Sequence, residues 1–191
     1  MPKKVLFIFH EDSQSGAPNA LLTFLKYVKT NHPKSFVIDV LVLHSNGGLE
    51  NDLKEISSNF YKNHRKKTFL GKILKKLQPN IWSLQRKNNY DVIYGNTVIT
   101  LSGLSKLKQK FKNVKILLHV HESEFMCNLF LNKEIATEQL KKIDKIITVS
   151  KGSKDNLITN YNVEKEKTSI IYPCIKTEVV KENNSLKQKY N

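Results

Sequence analysis

Apolar residues recur along this chain in two rhythms. Short unbroken runs read as strands: KVLFIF (4–9), FVIDVLVL (36–43), DVIYGN (91–96), VKILLHVH (114–121), KIITVS (145–150) and TSIIYP (168–173). Between them the spacing changes to i, i+3, i+4, i+7. Leu21, Phe24, Leu25 and Val28 form such a stripe in a helix beginning at Pro18. Leu70, Ile73, Leu74 and Leu77 form another, capped by Thr68 and stopped by Pro79. Further helices are expected over 98–111, within 123–142 and over 151–161, and a weak third strand over 55–61. HSNGGLEND (44–52) reads as a glycine-bearing turn.

This alternation predicts an α/β chain: a Rossmann-like, doubly wound, mainly parallel sheet flanked by helices. The strands are apolar throughout because helices cover both faces of such a sheet. Residues 1–175 make one domain. The polar tail from 176 to 191 reads as a linker or the start of a further domain.

In sheets of this kind ligands bind beyond the carboxyl ends of the strands. Those ends carry His10 to Ala17, His44 to Gly48, Gly95 to Thr97, His119 to Ser123 and Ser150 to Gly152. Gly16 permits a turn closed to larger residues and close approach of a ligand to the backbone, and the helix start after it favours an anionic group. SQSGAP is neither GxGxxG nor a P-loop, so no dinucleotide or ATP fingerprint is present. Alternation puts His119 and His121 on one face, with His121 nearer the strand end and Glu122 beside it. A His and a Glu so placed suit acid, base or hydrogen-bonding work. No third ligand stands at metal spacing, so no metal is expected, and His119 reads as a partly buried structural residue.

Charge adds a second theme. The 191 residues carry a formal net charge of +15, and between Tyr61 and Tyr90 there are nine Lys or Arg and no Asp or Glu. Lys62, Arg65, Lys66, Lys67, Lys72, Lys75 and Lys76 form the candidate patch for a polyanion. Cys127 and Cys174 stand far apart and read as free thiols of a reducing cytoplasm. MPKK runs directly into VLFIF without a cleavage site, which reads as a first strand, not a signal peptide.

The ordered set of motifs resembles the N-terminal half of family 4 glycosyltransferases of the GT-B fold. The residues that carry the resemblance are SGAPNALLTFLKYVK after the first strand, DVIYGNT, LLHVHE, and DKIITVSKGSKDNLITNYNVEKEKTSIIYPCI. Pro173, Cys174 and Ile175 replace the family's usual Pro-Asn-Gly at the crossover. The resemblance implies that Gly16 and Ala17 approach the donor diphosphate and that His121, with Glu122, lies near the transferred sugar. It implies that Asn96, Ser150 and Lys151 line the cleft. It further implies a nucleotide-sugar donor as co-substrate with no other cofactor, retention at the anomeric carbon, and a glycan or lipid-linked acceptor in cell-surface polysaccharide synthesis. A C-terminal donor-binding domain would be needed for activity. The basic block would dock a cytoplasmic, peripheral protein on an anionic membrane. The alternative is a non-catalytic Rossmann-like module whose basic surface binds an anionic membrane or nucleic acid; no nucleic-acid motif appears, which disfavours the latter partner.

Overall fold

The opening apolar run becomes β1 (Lys3–Glu11), with Val5 to Phe9 all buried. A computed structural model of the chain describes residues 1–45, 47–63 and 81–173. β2 (Phe36–His44), β3 (Asn59–Lys62), β4 (Val92–Asn96), β5 (Lys115–Val120), β6 (Lys145–Thr148) and β7 (Thr168–Ile170) join β1 in a single sheet. The order is β3-β2-β1-β4-β5-β6-β7, and every neighbouring pair is parallel. The chain winds outward from β1 to β3, then restarts at β4 and winds the other way. The switch point, where ligands favour such sheets, therefore lies between β1 and β4.

Two hydrophobic cores occupy the two faces. On one, α1 (Gly16–Asn31) and α2 (Glu50–Ile56) bury Leu21, Leu25, Leu53 and Ile56 against Val5, Phe7, Phe9 and Tyr94. On the other lie α3 (Ile81–Asn88), α4 (Leu101–Lys110), α5 (Glu124–Phe130), α6 (Lys133–Leu140) and α7 (Lys151–Tyr161), packed on Leu6, Ile8, Ile116 and Leu118. A 3-10 turn over Val98–Thr100 leads into α4. Gly95 is required by this approach: a methyl group there would stand 2.4 Å from both Leu104 Cδ1 and Thr100 Oγ1.

Several expectations are corrected. α1 begins at Gly16, two residues before Pro18, and Phe24 is 48% exposed while Leu22 is buried, so the stripe is centred on Leu21, Leu22, Leu25 and Val28. The turn after β2 keeps Gly47 and Gly48 at positive φ, but its last residues already belong to α2, and β3 starts only at Asn59. The stretch 123–142 holds two helices. Asn132 breaks it by accepting a hydrogen bond from the Ile135 amide, as an N-cap does. α3 lies where the sequence pattern predicts no helix. The helix expected from Thr68 to Leu77, Cys174 and the tail 176–191 lie outside the described residues. Cys127 is buried and free. Among the described residues no helix is long and apolar enough to cross a membrane.

Candidate functional site

The parallel register sets Asn96 opposite His119 at the carboxyl edge. Tyr94 belongs to the core under α1, and alternation puts Asn96, His119 and His121 on that same face. The side chains form one continuous network. The Tyr94 hydroxyl and His119 Nδ1 share a hydrogen bond at 2.6 Å, the His119 and His121 rings lie 4.0 Å apart between centroids, and His121 Nε2 is 2.9 Å from Asn96 Oδ1. Burial lowers His119 to about 3, helped by His121, and lowers His121 to about 4, helped by His10. Burial holds the Tyr94 hydroxyl well above its ordinary value, so it stays protonated. Neutral His121 gives its Nε2 proton to Asn96 and keeps a free lone pair on Nδ1.

Glu122 is held by backbone. Its Oε1 accepts from Val98 N–H at 3.2 Å and its Oε2 from His121 N–H at 3.0 Å, while its carbonyl accepts from the Ser153 hydroxyl at 3.1 Å. Burial raises its carboxyl above the ordinary value, and the backbone amides pull it partly back. Beside it, Asn96 Nδ2, Thr97 Oγ1 and His119 Nε2 are buried with no protein partner. Buried polar atoms are normally satisfied, so these three make the carboxyl edge of β4 and β5 polar beneath its surface.

The remaining expected residues fall around this centre. β1, which carries the Gly16 loop, is separated from β5 only by β4, so Gly16 and His121 lie on neighbouring parts of one edge. Gly16 is the first residue of α1, and Ser15 occupies the N-cap without bonding the first amides. The expectation that this turn needs a glycine fails: Gly16 has no left-handed φ, and a methyl group there would meet nothing within 4 Å. The room around it still allows a ligand close to the backbone. Ala17 follows it in the first turn. Ser150 caps α7 by accepting from the Ser153 amide at 3.1 Å, and Lys151 is exposed at the helix start.

Lys62 is not a free member of a basic patch. It pairs with Glu50, which also binds Lys54 at 2.6 Å; Lys54 and then Lys62 hold the Glu50 carboxyl down at about 2. Arg65, Lys66, Lys67, Lys72, Lys75 and Lys76 lie outside the described residues. Among the described residues, no cluster of three His, Cys, Asp or Glu could hold a metal ion. A groove of about 410 Å³ lined by Val98, Ile99, Phe130 and Ile135 opens on the α4–α6 side and contains none of the histidines.

Asp12 was missed by sequence reasoning. It is fully buried, accepts from Gly47 N–H at 2.8 Å and the Ser45 hydroxyl at 3.2 Å, and its carbonyl accepts from Leu49 N–H at 3.0 Å. It thereby ties the loop after β1 to the loop after β2. Tyr94 was missed too, although its parity with Asn96 along β4 was available as a signal.

A doubly wound parallel sheet of seven strands, with a polar network at its carboxyl edge beside the switch point, defines a Rossmann-like α/β domain. Residues 34–179, more than half of the chain, match the family model described as Glycosyltransferase Family 4, and the chain belongs to that family. The match includes Asn96, His121, Glu122, Ser150 and Lys151, and begins after Gly16 and Ala17. Among solved structures, the chain is similar to Anabaena Alr3699/HepE in complex with UDP and glucose: 17% identity, TM-score 0.62, 91% of this chain and 45% of that one. It is similar to the lipopolysaccharide outer core galactosyltransferase WaaB (16%, TM-score 0.65, 93% and 47%) and to a glycosyltransferase from Rickettsia africae (22%, TM-score 0.56, 90% and 43%). No curated protein sequence matches the chain. The chain spans less than half the length of these three structures.

Proposed function

We propose that this chain is the acceptor-side part of a glycosyltransferase, which moves a sugar from a nucleotide-sugar donor to a glycan or lipid-linked acceptor in cell-surface polysaccharide synthesis. A second, donor-binding domain completes the active enzyme. The carrying observation is the His121–Asn96 pair at the ends of β5 and β4, beside the switch point. The family supports this reading, as do the similar Anabaena structures bound to UDP and to UDP-glucose.

The chemistry is coherent. Departure of a nucleoside diphosphate develops negative charge, best met by fixed N–H groups in a closing cleft. The uncapped amides of Gly16 and Ala17 at the α1 N-terminus serve that charge. His121, with Glu122 beside it, faces the transferred hexose and offers its Nδ1 lone pair to a hydroxyl. Asn96, Ser150 and Lys151 line the cleft. The proposed reaction proceeds with retention and with no cofactor beyond the nucleotide sugar. The net charge of +15 supports an anionic membrane surface as partner of a peripheral, cytoplasmic enzyme.

The test incubates the complete protein with a panel of nucleotide sugars and a lipid extract, with anionic or neutral vesicles present. Labelled sugar in the acceptor fraction, and sedimentation with anionic vesicles alone, are the expected results. Failure to consume any donor would overturn the enzyme reading in favour of a binding module. Sedimentation indifferent to lipid charge would remove the membrane partner.

A further inference from the structure

Thr97 holds φ 81° and ψ 155°. For a β-branched residue this is a strained conformation, costing on the order of 1–3 kcal/mol, and it persists only where neighbours enforce it. They do so from both sides. Thr97 N–H donates to the His119 carbonyl at 2.8 Å, and the Thr97 carbonyl accepts from the Thr100 amide at 3.2 Å and the Thr100 hydroxyl at 2.8 Å. The next amide, Val98 N–H, opens the helical run over 98–110 and is aimed at Glu122 Oε1. Glu122 Oε2 accepts the backbone N–H of His121, and the Glu122 carbonyl accepts from Ser153 in α7.

We propose that Glu122 is a positioning residue: its carboxylate pins the strained turn after β4 to the end of β5 and so holds the His121 ring on Asn96. It acts through His121 and does not touch the substrate. Three features carry this. Both carboxylate oxygens are engaged by main-chain amides from two different strand ends. The strained turn at Thr97 brings the Val98 amide onto this carboxylate. The ring so held, with Nε2 on Asn96 at 2.9 Å, has a single neutral form that leaves Nδ1 open. The inference rests on the reading that His121 faces the ligand, but its test needs no turnover.

The experiment records long-range 1H–15N histidine spectra of the 191-residue chain in the wild type, Glu122→Ala and Glu122→Gln. The wild type should show His121 as the Nε2–H tautomer alone, titrating well below the ordinary value of about 6.5. Glu122→Ala should give a mixture of tautomers and an upward shift of the His121 titration as the ring loosens into water. Glu122→Gln retains one acceptor oxygen and should fall between the two. Far-UV circular dichroism confirms folding, and if the alanine variant does not fold, the glutamine variant carries the test. Unchanged His121 tautomer and titration in a folded variant would overturn the proposal while leaving the transferase reading intact. A donor panel with no transfer would do the reverse.

Discussion

Two half-buried imidazoles 4.0 Å apart cannot both hold a proton without large cost, and the burial that keeps them neutral has a consequence for stability. His119 and His121 titrate at about 3 and about 4 in the folded chain, against 6.5 for the ordinary group, and His10 is lowered as well. Between about pH 6.5 and pH 4 the unfolded chain therefore takes up protons that the native chain refuses, so stability falls as pH falls through that window. Glu122, raised by burial, works in the opposite sense, and one carboxyl is outweighed by three histidines. The urea midpoint should drop between pH 7 and pH 4.5, and His119→Gln should remove roughly a third to a half of the drop. An equal drop in the variant would contradict this account. At this scale the sequence was partly legible. Alternation along LLHVHE put both histidines on one face. The Thr97 strain and the orphaned Asn96 and His119 atoms depend on dihedral angles and neighbours that no local pattern encodes.

At the scale of elements, the strands were the easiest to read, because burial on both faces leaves each as an uninterrupted apolar run. Helices were harder where chain punctuation misled. The two glycines after β2 disguise the start of α2, Pro79 reads as a helix stop just before α3, and Asn132 splits one expected helix into α5 and α6. Phe24 lies at the margin of the α1 stripe, where helical spacing alone does not decide burial. The loops that frame the site depend on long-range ties, and Asp12 is the clearest. Asp12→Ala would leave the Gly47 amide without this acceptor and release the β2–α2 loop from the β1–α1 loop. The expected loss is about 0.5–1.5 kcal/mol in urea unfolding, the net worth of a typical hydrogen bond, because Gly47 is exposed and its freed amide turns to water. A loss below about 0.5 kcal/mol, the range of ordinary surface changes, would show that the loops hold together without it.

At the scale of the whole molecule, the order of motifs along the chain was more informative than any motif alone. The ordered set of strand ends resembled family 4 glycosyltransferases, and the family match over 34–179 shows that membership. The basic block was legible as charge but not as a surface: Lys62 is drawn into a pair with Glu50, and its companions lie outside the described residues. The proposed function places sugar transfer at the carboxyl edge of β4 and β5. Its most direct measurement compares transfer by the complete protein with that by His121→Ala, each checked for folding by thermal unfolding. The account predicts a fall in kcat/KM of at least about a hundredfold, as expected when a group acting on the reacting sugar is removed, with the domain still folded. Transfer within a few-fold of the wild type would place the chemistry elsewhere on the molecule and contradict the assignment.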